Sequence, residues 1–599
     1  MSDIFKRILS SIILLPIVLY FIFAGSFYFL FFTIFCFLVS LYEWLNMVKK
    51  IYLKFLGIIF LSFSFFTFYQ LAIMDILLIP LFICISTDIG GYVFGKLFKG
   101  PKLTKISPNK TYSGMLGGIL LAIFFSYLLE LSSDFENQKN LSNTDLVIIV
   151  LIISSISQIG DLIISFFKRI CKIKNTGNIL PGHGGLLDRI DGMIFVFPSV
   201  FLLLFLIWKK KNIAILGSTG SIGKQTLEVI KKDKKNFNII LLSTNSNIKE
   251  ISKQIKIFRP ESIIITNKKK FIFFKKKNKK IKIFNDYSCF KKVFSKKVDY
   301  VMSSITGFNG LQPTIEIVKH TKLLAIANKE SIICGWNLIQ AELKKNNTKF
   351  IPVDSEHFSI WKLTENNNHE IDKIFITASG GPFLNKNRKK LKNIKPKHAI
   401  KHPKWKMGKK ISIDSATMVN KLFELIEANK IFNIDIKKIK ILSHPNSYVH
   451  AIVKFKNGLT KILIHDTNMK IPIFNTLYYN QTAKIKSNDL DINKLNNLNF
   501  NYISLKQFPS LRLINLFNYK KNSLLETVLV SANDELVDLF LKNKINFLDI
   551  STNLISILNL KEFKKLRSKK PINLAQIMHL NRYVRLKTRA LCVRSNSNV

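Results

Sequence analysis

The stretch that decides the architecture is GMIFVFPSVFLLLFLIW (192–208), which continues through three lysines (209–211) into NIAILGSTGSIGKQTLEVI (212–230). Its first part is apolar throughout and approaches the length that a membrane-spanning helix needs. Its second part is typical of a strand, a glycine-rich turn and an amphipathic helix that together bind a nucleotide. No linker rich in Gly, Ser or Pro separates the two parts. The sequence therefore predicts a polytopic α-helical membrane domain followed directly by an α/β enzyme.

Basic residues dominate the composition. Lysine and arginine outnumber aspartate and glutamate by 90 to 38, so the net charge is +52 over 599 residues. This charge favours either a nucleic-acid or anionic-lipid partner, or a general enrichment in Lys, Asn, Ile and Phe. We prefer the compositional explanation and expect no nucleic-acid partner, because no stretch interleaves aromatic and basic residues as base stacking requires. The six cysteines lack metal-binding or redox spacing, which is typical of a reducing compartment.

Membrane insertion is predicted from the apolar stretches of the first third. They cover 8–42, 55–69, 71–86, 115–130, 145–165 and 192–208. The positive-inside rule places the basic segments 96–110 and 168–191 in the cytoplasm, and the lysines at 209–211 favour the same side for the C-terminal half. We therefore expect a multi-pass protein of the cytoplasmic (inner) membrane. One crossing by 192–208 conflicts with this topology, so either part of 168–191 is re-entrant or the number of spans is wrong.

Two polar stretches, 86–118 and 160–191, interrupt this apolar region. Carboxylates inside membrane segments are costly and usually functional, and grouped carboxylates suit Mg²⁺. The aspartates in question are Asp88, Asp161, Asp188 and Asp191. Residues expected to bind phosphate are Lys168, Arg169, His183 and Arg189. The alternative is that basic loops only anchor the helices at the lipid headgroups, which explains the lysines and arginines but not the aspartates.

The polar stretches carry a longer signature. In the pattern S-x-x-K-R, then K-D, then P-x-H-G-G-x-x-D-R-x-D, the chain has Ser165, Lys168, Arg169, Lys174, Pro181, His183, Gly184, Gly185, Asp188, Arg189 and Asp191. Residues 86–191 thus resemble phosphatidate cytidylyltransferases, which make CDP-diacylglycerol from CTP and phosphatidate in the membrane. The resemblance implies a Mg²⁺ site at Asp161, Asp188 and Asp191, the first two catalytic, with substrate bound by Lys168, Arg169, His183 and Arg189. Asn175 and Ser113 depart from the family pattern.

The glycine-rich turn after the junction predicts a dinucleotide site. Its residues are Gly217, Ser218, Thr219, Gly220, Ser221, Ile222 and Gly223. The second strand (238–247) places Asn245 near the adenosine ribose, and the absence of Asp or Glu there suits the 2′-phosphate of NADPH. Strands at 300–307 and 323–328 complete a Rossmann-like sheet, and Asn328, Lys329 and Glu330 follow at its cofactor edge.

Carboxylates in two later stretches predict a divalent metal site. In PVDSEHFSIW (352–361), Asp354 and Glu356 would face the same way in extended chain. SIDSATMVNKLFELIEA (412–428) is expected to form one helix that carries Glu424 and Glu427 on a single face. Asp354, Glu356 and Glu424 would then bind Mg²⁺ or Mn²⁺. An exposed acidic helix face is the alternative for the glutamates of the second stretch.

The motifs GSTGSIG, ANKE, PVDSEH, TASGGPF, HP-x-W-x-MG and SATM-x-NK occur in this order across 212–599. This half closely resembles 1-deoxy-D-xylulose 5-phosphate reductoisomerases. The resemblance implies NADPH, a sugar-phosphate substrate, a metal at Asp354, Glu356 and Glu424, and a homodimer formed through this half. It implies catalytic roles for Lys329, Glu356 and His402, and substrate contacts from Ser355, Ser379, His402, Ser415, Asn420, Lys421 and Glu424. His402, Trp405 and Met407 would belong to a closing loop, while Leu422, His465 and Asn468 depart from the pattern.

We therefore predict a fusion of two enzymes. The expected domains are a membrane cytidylyltransferase-like domain (1–208), a Rossmann-like NADPH domain (209–350), an α+β catalytic domain (351–500) and a small C-terminal helical bundle (501–599). Two alternatives stay open. The membrane half is a degenerate anchor and only the reductoisomerase is active, or the junction is an artefact of reading two neighbouring genes as one.

Overall fold

In the computed structural model the described residues are 16, 18, 20–22, 26–74, 76–104, 107, 110–132, 143–177, 179, 184–207, 210–278, 280–365, 369–405, 407–481, 483–517 and 522–596. The chain divides into two compact units, Met1–Lys209 and Lys210–Val599. Each unit has its own hydrophobic core.

The described part of the first unit is helical. Its helices are α1 (Ser26–Met47), α2 (Ile51–Ile73), α3 (Leu78–Phe98), α4 (Tyr112–Ser132), α5 (Asn143–Ile170), α6 (Leu187–Ile190) and α7 (Met193–Ile207). The helices α1, α2, α3 and α5 contain segments long and apolar enough to cross a membrane, whereas the apolar parts of α4 and α7 are shorter. With 15 residues, α7 is about 22 Å long, less than the bilayer's hydrocarbon thickness.

The predicted apolar stretch 71–86 is wrong in its boundaries. The chain turns after Ile73, and the helix α3 (Leu78–Phe98) contains the first part of the polar stretch 86–118. Glycines let this part of α3 pack closely against α4. A Cβ on Gly90 would lie 2.7 Å from the carbonyl oxygen of Gly117 on α4, and one on Gly118 would lie 2.7 Å from that of Thr87. Small residues allow such close helix packing in membranes.

The second unit begins with a seven-stranded parallel sheet. Its strands are β1 (Lys211–Leu216), β2 (Phe237–Thr244), β3 (Ser262–Ile265), β4 (Lys282–Phe284), β5 (Val298–Ser303), β6 (Thr321–Ile326) and β7 (Lys349–Pro352), in the order β4-β3-β2-β1-β5-β6-β7. The connecting helices are α8 (Ser221–Lys232), α9 (Ile248–Phe258), α10 (Lys268–Lys277), α11 (Phe290–Val293), α12 (Leu311–Ile317) and α13 (Lys329–Lys345). The strand order reverses between β1 and β5, where such sheets bind ligands.

A second, mixed sheet follows. Its strands are β8 (Ile371–Ala378), β9 (Ile439–Ser443), β10 (Val449–Phe455), β11 (Thr460–Ile464) and β12 (Asn501–Tyr502), in the order β11-β10-β8-β9-β12. The helices around it are α14 (Ser355–Thr364), α15 (Pro396–Ala399), α16 (Lys409–Ala416), α17 (Val419–Phe432), α18 (Lys470–Leu477) and α19 (Ile492–Asn496). The C-terminal helices are α20 (Leu524–Leu541), α21 (Phe547–Leu558), α22 (Lys561–Lys564) and α23 (Leu574–Asn596).

The single helix expected at 412–428 is wrong. The chain breaks at Met418, whose φ of 61° lies in the left-handed region, so α16 and α17 are separate helices. This break turns α17 so that Glu424 and Glu427 are buried, each with 1% of its surface exposed. The alternative of an exposed acidic helix face is therefore excluded for both residues.

A buried ion pair joins α17 to α20. Lys430 lies 2.7 Å from Glu526, and the two side chains are only 4% and 6% exposed. The backbone amide of Ser523 also donates to Glu526, which closes the N-terminal turn of α20. Removing one member of such a pair leaves the other charge buried without its partner.

We predict that Lys430→Met lowers the free energy of unfolding of a 210–599 fragment by about 3–5 kcal/mol, because Glu526 is left uncompensated. The double substitution Lys430→Met with Glu526→Leu should recover most of this loss. Urea-induced unfolding followed by tryptophan fluorescence measures both effects. The matched control is Lys456→Met at the exposed Lys456–Glu370 pair, where no change is expected. Equal stabilities for Lys430→Met and the control would contradict the prediction.

Candidate active site

A cavity of about 940 Å³ opens in the second unit at the carboxyl ends of the parallel strands. Predicted site residues that line it are Gly220, Ser221, Ile222, Asn328, Lys329, Glu330, Asp354, Ser355, Glu356, Ser379, His402, Ser415, Asn420 and Glu424. Predicted residues that do not line it are Gly217, Ser218, Thr219, Gly223, Asn245 and Lys421. The fold thus brings both sequence stretches and the glycine-rich turn to one cavity.

Three carboxylates meet on the cavity wall. Asp354, Glu356 and Glu424 offer oxygen atoms that all lie within 4.8 Å of one another. The expectation that Asp354 and Glu356 lie in extended chain is wrong. Asp354 is the N-cap of α14, and Glu356 lies in the first turn of that helix. Both carboxylates therefore project from the start of α14 towards Glu424 on α17.

Two lysines balance the charge of these carboxylates. The ammonium group of Lys329 contacts Asp354 and lies 3.0 Å from Glu424. Lys421 contacts Glu356 and lies 2.6 Å from Glu424. Burial opposes the charge on Lys329, but the carboxylates of Asp354 and Glu424 raise its pKa well above the usual value. The site therefore holds charge of both signs away from water.

The carboxyl groups respond differently to this environment. Burial alone would raise the pKa of Asp354, yet the ammonium group of Lys329 and the imidazole of His357 hold it well below the usual value. Burial and the charge of Glu424 raise the pKa of Glu356 to about 7. Asp354 is thus ionised throughout the neutral range, whereas Glu356 gains or loses a proton near pH 7.

His357 fixes the carboxylate arrangement, and sequence reasoning missed it. Its Nδ1 lies 3.0 Å from Asp354 and its Nε2 lies 3.0 Å from the backbone oxygen of Glu424. Although burial lowers the pKa of His357, Glu427 and Asp354 raise it to about 9. The only signal in the sequence was its place in the motif PVDSEH. An oxygen-rich trio oriented in this way fits a hard divalent cation such as Mg²⁺ or Mn²⁺.

The loop after residue 400 reaches the cavity through one hydrogen bond. His402 Nε2 lies 3.0 Å from the hydroxyl of Ser379, and the backbone amide of Trp405 donates to His402 Nδ1 at 2.9 Å. His402 Nδ1 is therefore an acceptor, and Nε2 carries the proton. Burial, with a smaller effect from Lys421, lowers the pKa of His402 to about 4. A neutral His402 thus joins the loop that contains Trp405 and Met407 to the strand end at Ser379.

The glycine-rich turn uses its residues in two ways. Gly217 has a φ of 83°, and a Cβ there would lie 2.8 Å from the carbonyl oxygen of Ser304. Ser218 is buried, and its hydroxyl donates to Gln254 on α9 at 2.7 Å. Ser218 therefore stabilises the turn by joining it to α9. Helix α8 begins at Ser221 with Gly220 as its N-cap, and helix N-termini favour phosphate groups. Asn245 lies just beyond β2 and accepts from Thr266.

A second buried network of charged side chains joins the start of α13 to α16 and α20. The sequence analysis did not reveal it. Lys410 on α16 lies 2.7 Å from Glu330, 2.9 Å from Asp414 and 3.1 Å from Asp534 on α20. Asn328 caps α13 by accepting from the amide of Ser331 at 2.7 Å. The predicted cofactor residues Asn328 and Glu330 therefore have structural contacts of their own.

His465, which departs from the family pattern, stacks on His450 with ring centroids 3.8 Å apart. His450 lines the cavity and donates from Nε2 to the backbone oxygen of His465 at 3.2 Å. Burial, together with the neighbouring ring, lowers the pKa of His450 well below the usual value. The imidazole ring of His465 therefore packs against His450, which lines the cavity.

Ion pairs and backbone hydrogen bonds join several of the predicted residues of the first unit. Asp161 pairs with Lys110, and Lys168 lies 2.9 Å from Asp188. Asp188 also accepts from the backbone amides of Thr176 at 2.8 Å and Gly185 at 3.1 Å. Asp191 is buried, and Arg169 and Arg189 are exposed. Predicted residue His183 lies outside the described residues.

Comparison with known families identifies the second unit. The 1-deoxy-D-xylulose 5-phosphate reductoisomerase model matches residues 213–335, and its two C-terminal domain models match 350–432 and 465–587. The 1-deoxy-D-xylulose 5-phosphate reductoisomerase of Pelagibacter ubique (strain HTCC1062) is 55% identical over 388 residues, which are 64% of this chain and 100% of that protein. The chain belongs to the 1-deoxy-D-xylulose 5-phosphate reductoisomerase family.

Further relatives agree. The reductoisomerase of Clostridium botulinum (strain Loch Maree / Type A3) is 38% identical over 58% of this chain and 92% of its own length. A reductoisomerase solved with NADPH, fosmidomycin and magnesium has a TM-score of 0.59 and 31% identity, covering 64% of this chain and 98% of that one. The Zymomonas mobilis reductoisomerase solved with NADPH has a TM-score of 0.57 and 29% identity, covering 64% and 99%.

The first unit matches a different family. Residues 51–207 match the cytidylyltransferase family. Both family resemblances inferred from the sequence, and the predicted fold class, are confirmed. The assignment of individual site residues remains a prediction.

We predict that Mn²⁺ binds a 210–599 fragment about tenfold more tightly at pH 8 than at pH 6. A cation needs ionised Glu356, and a group with a pKa of about 7 is about one-tenth ionised at pH 6 and nine-tenths at pH 8. Isothermal titration calorimetry measures the affinity at both values. Glu356→Gln should bind more weakly and lose this pH dependence. Equal affinities of the unaltered fragment at pH 6 and pH 8 would show that Glu356 does not compete with a proton.

Proposed function

We propose that the second unit converts 1-deoxy-D-xylulose 5-phosphate to 2-C-methyl-D-erythritol 4-phosphate, with NADPH and Mg²⁺ or Mn²⁺, in non-mevalonate isoprenoid biosynthesis. One observation carries the proposal. The Asp354–Glu356–Glu424 trio and the N-terminus of α8 face the same 940 Å³ cavity. A metal chelate of the substrate and a nicotinamide cofactor can therefore meet there.

The roles of the side chains follow from their positions. Asp354, Glu356 and Glu424 would hold the cation, which polarises the oxygens of the hydroxyketone. Lys329 and Lys421 neutralise the trio, and they would also donate hydrogen bonds to substrate oxygens. Both lysines contact carboxylates of the trio and are buried, which supports this role.

Phosphate and cofactor would occupy opposite parts of the cavity. Ser379, Ser415 and Asn420 provide uncharged donors, and neutral His402 joins them through its hydrogen bond to Ser379. The backbone of Gly220, Ser221 and Ile222 would bind the NADPH pyrophosphate. The loop at His402, Trp405 and Met407 would close over the substrate and exclude water, as hydride transfer requires.

We further propose that the first unit transfers a cytidylyl group from CTP to phosphatidate with Mg²⁺. Asp161, Asp188 and Asp191 would bind the metal, and Lys168, Arg169, His183 and Arg189 would bind phosphate. Support comes from the cytidylyltransferase match at 51–207 and from the Lys168–Asp188 pair at the end of α5. A degenerate membrane anchor, or a junction created by misreading two genes, remains the alternative.

The proposed cellular arrangement follows from the two chemistries. We propose a multi-pass protein of the cytoplasmic membrane whose C-terminal half lies in the cytoplasm, where NADPH is available, and forms a homodimer. The candidate spans in α1, α2, α3 and α5 support membrane insertion. The proposed domain boundaries remain 1–208, 209–350, 351–500 and 501–599.

We predict that membranes of cells expressing the chain contain a product of 69.0 kDa and oxidise NADPH when 1-deoxy-D-xylulose 5-phosphate and Mg²⁺ are added. Glu424→Gln should lower kcat by at least about 100-fold, because electrostatic stabilisation at a metal site contributes several kcal/mol. Glu370→Gln, at an exposed glutamate, is the matched control and should leave kcat unchanged. Activity found only in a soluble fragment would refute the fusion, and an active Glu424→Gln would refute the metal site.

A further inference from the structure

A carboxylate from α1 binds the last part of the cytidylyltransferase signature, whose described residues are 174–177, 179 and 184–191. We call this part the signature segment. Glu43 is 2% exposed, although it lies more than 130 residues before that segment. Its Oε1 accepts from the backbone amide of Leu186 at 2.9 Å, and its Oε2 accepts from that of Leu187 at 2.8 Å. The hydroxyl of Thr176 donates to Oε2 at 3.1 Å. Three donors from the two ends of the segment thus converge on one carboxylate.

Glycines of the segment are packed against the same carboxylate. A Cβ on Gly177 would lie 2.7 Å from Glu43 Oε1, and one on Gly185 would lie 2.5 Å from Glu43 Oε2. Side chains at these two positions would displace Glu43 from its donors. Gly185 of the H-G-G pattern therefore leaves the space that the Glu43 carboxylate occupies, although Glu43 lies outside the signature.

Glu43 and Asp188 both accept hydrogen bonds from backbone amides of the signature segment. Asp188 accepts from the amides of Thr176 and Gly185, while Glu43 accepts from the Thr176 hydroxyl and the next two amides, those of Leu186 and Leu187. Hydrogen bonds to a carboxylate are roughly twice as strong as neutral ones, and they are stronger still away from water. A segment held in this way keeps Asp188, Arg189 and Asp191 in one arrangement.

We propose that Glu43 is a positioning residue for the substrate-binding segment of the first unit. This inference rests on the proposed cytidylyltransferase function. Glu43 precedes residues 51–207, which match the cytidylyltransferase family, and it lies outside every motif identified in the sequence. Its action would be indirect, because its carboxylate accepts from Thr176, Leu186 and Leu187 and, among the described residues, from none of those proposed to bind substrate or metal.

The test uses the full chain in membranes and three substitutions. Glu43→Gln replaces one accepting oxygen by an NH₂ group that opposes a backbone N–H. Glu43→Asp keeps the charge but shortens the side chain, and Thr176→Val deletes one donor from the segment without changing α1. Ser40→Ala is the matched control, because Ser40 is also buried on α1 and its hydroxyl has no hydrogen-bond partner among the described residues.

Two measurements are made on each variant. The first is synthesis of CDP-diacylglycerol from CTP and phosphatidate vesicles, with CTP and Mg²⁺ titrated separately. The second is hydrogen–deuterium exchange of the amides of Leu186 and Leu187. NADPH oxidation by the second unit of the same chain reports the amount of folded protein.

For Glu43→Gln we expect the KM for CTP or the Mg²⁺ half-saturation to rise by at least about tenfold, with a smaller change in kcat. Exchange at Leu186 and Leu187 should accelerate by at least about tenfold, because both amides lose a charged acceptor. Glu43→Asp and Thr176→Val should give intermediate values, and Ser40→Ala should match the unaltered chain.

The inference would be overturned if Glu43→Gln left three quantities unchanged. They are the KM for CTP, the Mg²⁺ half-saturation and the exchange rates at Leu186 and Leu187. If Glu43→Gln fails to accumulate in membranes, Thr176→Val decides, and wild-type values for that variant would overturn it. If the unaltered chain makes no CDP-diacylglycerol, the proposed function of the first unit fails. In that case the exchange rates alone decide whether Glu43 holds the segment.

Discussion

The mutual repulsion of Asp354, Glu356 and Glu424 is the constraint on which the catalytic unit depends. Three carboxylates within 4.8 Å cannot all stay ionised away from water unless positive charge lies beside them. Lys329, Lys421 and the imidazole of His357 provide that charge. Each group comes from a different part of the chain, so the charge balance requires the two sheets and α17 to be in their final places.

The repulsion among these carboxylates also explains why Glu356 is the member of the trio whose protonation changes near neutral pH. Asp354 has both a lysine and a histidine as partners, which keep its pKa low, whereas the pKa of Glu356 rises to about 7. A divalent cation bound to the trio would favour the ionised form of Glu356. The ammonium groups of Lys329 and Lys421 contact the same oxygens that a proton or a divalent cation would occupy.

Buried carboxylates also organise the rest of the chain. Glu330, Asp414 and Asp534 surround Lys410 and join the start of α13, α16 and α20. In the first unit, Glu43 and Asp188 accept backbone amides of the signature segment. In a chain this rich in lysine, the few acidic residues that are buried therefore mark the points where separate elements must meet.

The sequence by itself determined the two families, the membrane helices, the dinucleotide turn and the identity of the three carboxylates, because these depend on local composition and on motifs with fixed spacing. Only the tertiary structure decided the geometry. The left-handed Met418 splits the helix expected at 412–428, and glycines allow α3 to pack closely against α4. Lys410 and Glu43 lie outside the sequence motifs, and the place of His357 in PVDSEH does not reveal its partners. Their roles come from partners on other elements, 67 residues away for the His357–Glu424 contact and 143 for the Glu43–Leu186 contact, and such contacts form only when the chain is packed.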